Sequence, residues 1–302
     1  MAQSVLSRYL NPEALSRMAA RHLEPRGLVL GTLAGAHKSP LSGFAVEFAG
    51  HREYTWGDDP KHLDWRVYFT RDKYFIKQYE METNFVCHLL LDVSASMRYG
   101  HEGEQKLLYA AQMATTLGYS IIKQSDKVSL ATFDEEIRGF VPPGNSLTQV
   151  VRMTDHLDQL EAQPKTRMAE CLTELTGRMG RREIVMIFSD FFTDLDTLEP
   201  ALQRMRYHRH EVVLFQVMHH DELAFEFDGQ VKFQGLEISE ELLTQPQELK
   251  DAYLAEMQKF NKKLEKICQR NSIERVLVDT RDDMAGVFID YLNQRSLLNR
   301  GR

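Results

Sequence analysis

Asp92, Ser94 and Ser96 place three hard oxygen donors at alternate positions, directly after the apolar run Phe85-Val86-Cys87-His88-Leu89-Leu90-Leu91. Such a run predicts a strand buried on both faces of a parallel sheet and ending at Asp92. The spacing lets one carboxylate and two hydroxyls converge as the chain turns from strand into helix. With no soft donor beside them, these oxygens suit Mg2+ or Mn2+ rather than zinc or copper. A divalent ion calls for a second carboxylate, and Asp190 ends a second apolar run, Ile184-Val185-Met186-Ile187-Phe188-Ser189. Two carboxylates about 5 Å apart repel by about 3 kcal/mol at an effective dielectric near 20, a cost that a cation between them removes. Thr166 follows Pro164 and precedes a helix pattern, so it offers a further hydroxyl. Asp92, Ser94, Ser96, Thr166 and Asp190 are therefore the candidate ligands of one cation. With some of these donors acting through water, an octahedral shell keeps a position open for a carboxylate from elsewhere.

Each of these residues also has a plain structural reading. Ser94 and Ser96 could cap the helix that follows, and Asp190 and Thr166 could do the same for theirs. Thr148 and Thr154 fall inside a helix pattern and are weaker ligand candidates. His219-His220-Asp221-Glu222 could suggest another metal site, but neighbouring residues at a strand end point in different directions, and the string reads as a polar loop. Asp194 and Asp196 suit a helix start. Signatures of nucleotide-binding loops, zinc peptidases and serine hydrolases are absent from the sequence, and no general base stands beside the candidate ligands.

The elements that would position the site alternate. Strands are predicted at Lys127–Phe133, Ile137–Val141, Glu183–Asp190, Glu211–Met218 and Ile273–Asp279. Helices are predicted at Glu104–Lys123, Ser146–Leu160, Arg167–Met179, Leu195–Tyr207, Pro246–Arg270 and Asp282–Leu298. This order implies an α/β fold: a doubly wound, mostly parallel central sheet with helices on both faces. Ligands of such sheets bind beyond the carboxyl ends of the strands, where Asp92 and Asp190 fall. Phe225 to Ile238 alternates around Asp228-Gly229 and predicts a β-hairpin excursion. Residues 1–80 read as a β-rich N-terminal appendage, with Asn11 capping a short helix that starts at Pro12, and residues 81–302 as the sheet domain.

The chain of 302 residues has a formal charge of −7, which argues against a nucleic-acid partner. Arg204 to His210 is a local basic stretch of the kind found at a helix end. No apolar run reaches the ~20 residues needed to span a bilayer, and the first residues lack a signal-peptide pattern, so a cytoplasmic location is expected. Cys87, Cys171 and Cys268 are scattered and suggest reduced core thiols.

The string Asp92-Val93-Ser94-Ala95-Ser96-Met97, a later threonine and a later strand ending in Ser189-Asp190 resemble the metal-ion-dependent adhesion site of von Willebrand factor A domains. In that resemblance Asp92, Ser94 and Ser96 carry the family's DxSxS motif, Thr166 its loop threonine and Asp190 its last acid. The family often has glycine next, where this chain has Phe191. Upstream, Arg52-Glu53-Tyr54-Thr55-Trp56-Gly57-Asp58-Asp59, followed by Asp64-Trp65, resembles the signature of the domain-of-unknown-function 58 family; its bland reading is a packed turn. Longer members of that family carry transmembrane helices, which this sequence lacks. The resemblance implies a non-catalytic, metal-dependent protein-binding module, an adaptor for a MoxR-type AAA+ ATPase in assembly or maturation of a complex. The alternative is a Mg2+-dependent hydrolase or phosphotransferase with Asp92 as nucleophile. Ser94 stands where such enzymes usually carry a second acid.

Overall fold

The apolar runs become strands and the amphipathic stretches become helices in the computed structural model, which describes residues 5–26, 34–38, 47–80, 82–160, 167–227, 231–234 and 241–300. Contacts divide the chain into two units, residues 27–85 and residues 1–26 with 86–302. The first 26 residues, grouped with the appendage on sequence grounds, thus belong with the larger unit. They form α1 (Val5–Tyr9) and α2 (Pro12–Met18). Asn11 caps α2 by accepting a hydrogen bond from the Ala14 amide, and its own amide donates to Thr116 Oγ1 at 3.1 Å.

The smaller unit contains β1 (Ala34–Lys38), β2 (Glu47–Glu53), α3 (Trp65–Arg71), β3 (Phe75–Glu80) and β4 (Glu82–Thr83), with β1 antiparallel to β4 and β2 antiparallel to β3. Its charged signature residues tie the connection between β2 and β3. Arg52 donates to Asp58 Oδ1 at 2.8 Å, and the Thr55 amide and hydroxyl both donate to Asp58 Oδ2. Gly57 takes φ +106°, a conformation that favours glycine. Asp64 caps α3 through the Arg66 amide and meets His51 Nε2 at 2.9 Å. These contacts give the motif a structural role.

In the larger unit the chain continues through β5 (Val86–Asp92), α4 (Lys106–Lys123), β6 (Lys127–Phe133), β7 (Ile137–Gly144), α5 (Leu147–Asp158), α6 (Met168–Arg178), β8 (Ile184–Ser189), α7 (Leu195–Tyr207) and β9 (Glu211–Met218). It ends with α8 (His220–Ala224), β10 (Val231–Gln234), β11 (Glu241–Thr244), α9 (Pro246–Arg270), β12 (Glu274–Asp279) and α10 (Met284–Arg300). The six-stranded sheet has the order β12-β9-β8-β5-β6-β7, parallel throughout except for β7. From β5 the chain winds to one side through β6 and β7, then crosses to β8 on the other. The winding therefore reverses between β5 and β8, and this reversal creates a crevice at their carboxyl ends.

Alternate residues of the inner strands face opposite helix layers. Leu90, Val185, Ile187, Val212 and Leu214 pack with α6, α7 and α9. On the other face α4 packs on β5, β6, β8 and β9, and Phe215 meets Tyr291 of α10 at 5.2 Å between ring centroids. Each fully buried leucine or isoleucine in these rows contributes at most about 1.5–3 kcal/mol, enough together to fix where the strands end. All three cysteines are free and buried.

The excursion after β9 differs from its sequence reading. The hairpin strands are β10 and β11, paired from Val231↔Thr244 to Gln234↔Glu241, so Asp228-Gly229 precedes the hairpin and lies outside the described residues. Phe225 and Phe227 alternate as a strand would, but Phe225 ends α8 with φ 49° and is buried.

Candidate functional site

The strands deliver Asp92 and Asp190 to neighbouring exits of the sheet. Leu91 of β5 registers with Phe188 of β8, so Asp92 stands opposite Ser189, with Asp190 one residue farther on. Adjacent strands run about 4.8 Å apart. The Ser189 hydroxyl closes the gap by donating to Asp92 Oδ2 at 2.7 Å, while its oxygen accepts from the Phe191 amide at 2.8 Å. The Ser94 amide donates to Asp92 Oδ1 at 2.9 Å. Asp92 thus has both carboxylate oxygens engaged and is almost wholly buried. Burial, and then the nearby Asp190 charge, push its pKa up to about 7 against these stabilising bonds.

Beyond Asp92 the chain turns through Ser96-Met97-Arg98, and the Ser94 and Ser96 hydroxyls share a hydrogen bond of 3.2 Å. Neither serine caps a helix by its side chain. The short turn is preceded by Ala95 without a capping bond, and α4 starts after Gln105, also without one. The capping explanation of these serines therefore fails. Asp190 is not the cap of α7 either, because Asp194 fills that place by accepting from the Asp196 amide at 3.0 Å. Thr166 falls outside the described residues.

Asp190 is held differently from Asp92. Its Oδ1 accepts from the Phe192 amide at 3.0 Å, and its Oδ2 accepts from Lys106 Nζ at 2.8 Å. The same ammonium donates to Glu222 Oε1 at 2.8 Å, and the other oxygen of Glu222 accepts from the His219 amide at 2.9 Å. Lys106 is fully buried, at 0% exposure. Burial lowers its affinity for a proton, but Asp190 and Glu222 outweigh that and raise its pKa above the ordinary lysine value. Burial also raises the Glu222 pKa, against the pull of Lys106. An ammonium buried with two hydrogen-bonded carboxylates is a fixed charge, not a surface decoration.

Sequence reasoning missed Lys106, Glu222 and Ser189. One signal was available for the lysine: it opens α4, where the helix dipole disfavours a cation, so a lysine there needs anionic partners. Glu222 was in view as part of the His219-to-Glu222 string. His219 caps α8 in a capping box with Glu222, and His220 Nδ1 lies 2.7 Å from Asp279 Oδ2. That string is a capped helix start whose glutamate turns inward.

Phe191 takes φ 60°, a left-handed conformation that costs a residue with a side chain roughly 1–3 kcal/mol. Its ring is fully buried in the core against α6 and α7, and this anchorage offsets the strain. The backbone turn that glycine would make freely is made here by a phenylalanine pinned from below.

The donor set suits a small hard cation. Two ligands on adjacent corners of an octahedron with bonds near 2.1 Å stand about 3 Å apart, which matches the separation of the serine oxygens. Among the described residues no three acidic, histidine or cysteine side chains converge on one point.

The model of the family described as protein of unknown function DUF58 matches residues 50–263. The chain belongs to that family. The DUF58 chain is 22% identical over 230 residues to uncharacterized proteins of Mycobacterium tuberculosis and Mycobacterium bovis, covering 75% of this chain and 72% of each relative. It is similar to the BatB structure from Bacteroides thetaiotaomicron, at 13% identity and a TM-score of 0.49 over 72% of this chain and 100% of that one. It is also similar to the SpRpn10 von Willebrand factor A domain, at 10% identity and a TM-score of 0.41 over 70% and 95%. The fold of the DUF58 chain rests on its strand order, described above, and not on these scores. No described helix is long and apolar enough to cross a membrane.

Proposed function

We propose that this DUF58 protein is a non-catalytic, metal-dependent protein-binding module. Ser94 and Ser96 would hold Mg2+ or Mn2+, with Asp92 and Asp190 behind them and Thr166 as a further hydroxyl. The observation that carries this reading is the pair of serine hydroxyls hydrogen-bonded to each other at 3.2 Å, free of any capping role, on the turn that follows Asp92, with Asp92 and Asp190 buried at neighbouring strand exits. When bound, the cation supplies an electrophilic point that accepts a carboxylate from a partner. The chain's own residues do the rest: Ser189 and the Ser94 amide fix Asp92, and Lys106 and the Phe192 amide fix Asp190. Both acids are thus pre-oriented before any ion arrives, which lowers the ordering cost of binding. The family resemblance makes a MoxR-type AAA+ ATPase the partner class.

A nucleophilic role for Asp92, as in a phosphotransferase, has less support. Both of its oxygens accept hydrogen bonds and its side chain is closed off from solvent. Calorimetric titration with Mn2+ tests the proposed site: the wild type binds one equivalent, and Asp92→Ala and Asp92→Asn lose at least tenfold in affinity while keeping the far-UV circular dichroism of the fold. Capture of a purified MoxR-type ATPase tests the partner. Equal capture in Mg2+ and in EDTA would sink the metal-dependent reading.

A further inference from the structure

We propose that the apolar cavity beside the candidate cation site is a second recognition subsite, taking a large apolar side chain two positions from the acidic residue of a partner protein. This rests on the reading above that a partner carboxylate meets a cation held at Ser94 and Ser96. The cavity has a volume of about 490 Å3, within the roughly 300–1,000 Å3 of ligand-sized clefts. Tyr99, Phe225, Phe227 and Tyr253 supply its rings, and Leu249 and Ala252 of α9 its aliphatic surface. The rings brace one another: Phe225 stacks on Tyr253 at 4.5 Å and meets Phe227 edge-on at 5.2 Å.

Two residues join the cavity to the cation site. Tyr99 lies three residues after Ser96, and its amide donates to the Ser96 carbonyl at 3.2 Å. Glu222 lines the cavity and also accepts from Lys106, the residue that holds Asp190. An extended segment advances about 3.3 Å per residue and turns every second side chain to the same face, so it is the side chain two positions from the acid, about 6.6 Å along the segment, that the cavity is placed to take.

Charge and polarity decide what enters each. Asp221, Glu222 and Glu256 stand on the cavity wall and repel an acidic side chain, which leaves the acid to the cation. The remaining wall is aromatic and aliphatic, and the Tyr99 hydroxyl is already taken up by Asp221 at 3.3 Å, so a neutral polar side chain entering it gives up more hydration than it recovers. A phenylalanine, leucine or methionine gains by burial. The preferred partner segment is therefore an acidic residue with large apolar ones two positions away.

The test uses the full chain, Mn2+ alone, and two acetylated, amidated pentapeptides with a central glutamate and phenylalanine or alanine two positions away on both sides. Isothermal titration with Mn2+ present is expected to show the phenylalanine peptide binding at least tenfold more tightly than the alanine peptide. Ala252→Trp fills the cavity from an exposed position on α9 and is expected to cut that advantage below twofold, with the Mn2+ isotherm unchanged. Equal affinities, no detectable binding of either peptide to the Mn2+-loaded protein, or an advantage that survives Ala252→Trp each overturn the subsite while leaving the cation reading intact. Absence of Mn2+ binding overturns the cation reading, and the subsite falls with it.

Discussion

At the amino ends of β9 and β12, two arginines meet two glutamates. At the carboxyl ends of β5 and β8, one lysine meets two carboxylates with a third alongside. In the first cluster Arg295 Nη1 lies 2.8 Å from Glu274, Arg26 Nη2 lies 3.0 Å from the same carboxylate, and Arg295 also pairs with Glu211. Cations and anions balance, and Arg295 Nε donates to the Glu24 carbonyl, tying the N-terminal segment to the sheet. In the second cluster Lys106 serves Asp190 and Glu222, and the donors to Asp92 among the described residues are neutral. Among the described residues Lys106 offsets one of these three acids, while burial and the Asp190 charge push the Asp92 pKa up to about 7. A balanced buried cluster is complete as a structural clamp. A cluster with more carboxylates than cations among the described residues, beside two serine hydroxyls hydrogen-bonded to each other, is where the proposed cation would sit.

Removing the buried cation at each end should separate the two roles. Arg295→Met leaves Glu211 and Glu274, among the described residues, with Arg26, which is 26% exposed, and removal of one partner from a buried pair costs about 3–5 kcal/mol. Urea denaturation should show that loss, and the same loss with EDTA or with saturating Mn2+. Lys106→Met should cost about 3 kcal/mol in EDTA by the same argument. Here, however, Mn2+ should recover a substantial part, because the variant end has a still larger charge deficit. Linkage makes the recovery grow with free Mn2+ concentration. If Mn2+ stabilised both variants equally, or neither, the assignment of different roles to the two ends would fail.

What the sequence made legible follows the same division. Strand positions could be read because runs such as Ile184 to Phe188 are apolar at every residue, as burial on both faces requires. Asp92, Ser94 and Ser96 could be read because their spacing is local, and Asp190 because a carboxylate after a buried run is conspicuous. Lys106 could not be paired in advance, since its partners lie 84 and 116 residues away and only the strand order brings them together. The arginine cluster is equally non-local, with Arg295 21 residues from Glu274 and 271 from Glu24. The misplaced hairpin has a different cause. Phe225 and Phe227 repeat at every second residue because both line a cavity, and that pattern cannot be told from a strand's by periodicity alone.

The amino end should also respond to acid through His210, which directly precedes β9. It accepts from the Glu183 amide at Nδ1 and stacks near His208, with Glu183 hydrogen-bonded in turn to His88 of β5, while Arg206 donates to the His210 carbonyl. Burial lowers the His210 pKa to about 4, with His88 and His208 adding repulsion and Glu183 opposing it. An unfolded histidine titrates near 6.5, so between pH 6.5 and pH 4 the unfolded chain binds the proton that the folded chain refuses. Stability from this residue is therefore complete above pH 6.5 and is lost as pH falls towards 4, by about 2 kcal/mol if part of the burial penalty relaxes. His210→Gln cannot take up that proton in either state. Its urea midpoint should fall less steeply between pH 6.5 and 4.5 than that of the wild type, with the difference shrinking to zero above pH 7. An equal slope in both proteins would mean that His210 is protonated in the fold, and that the amino-end cluster holds a positive charge beyond its two arginines.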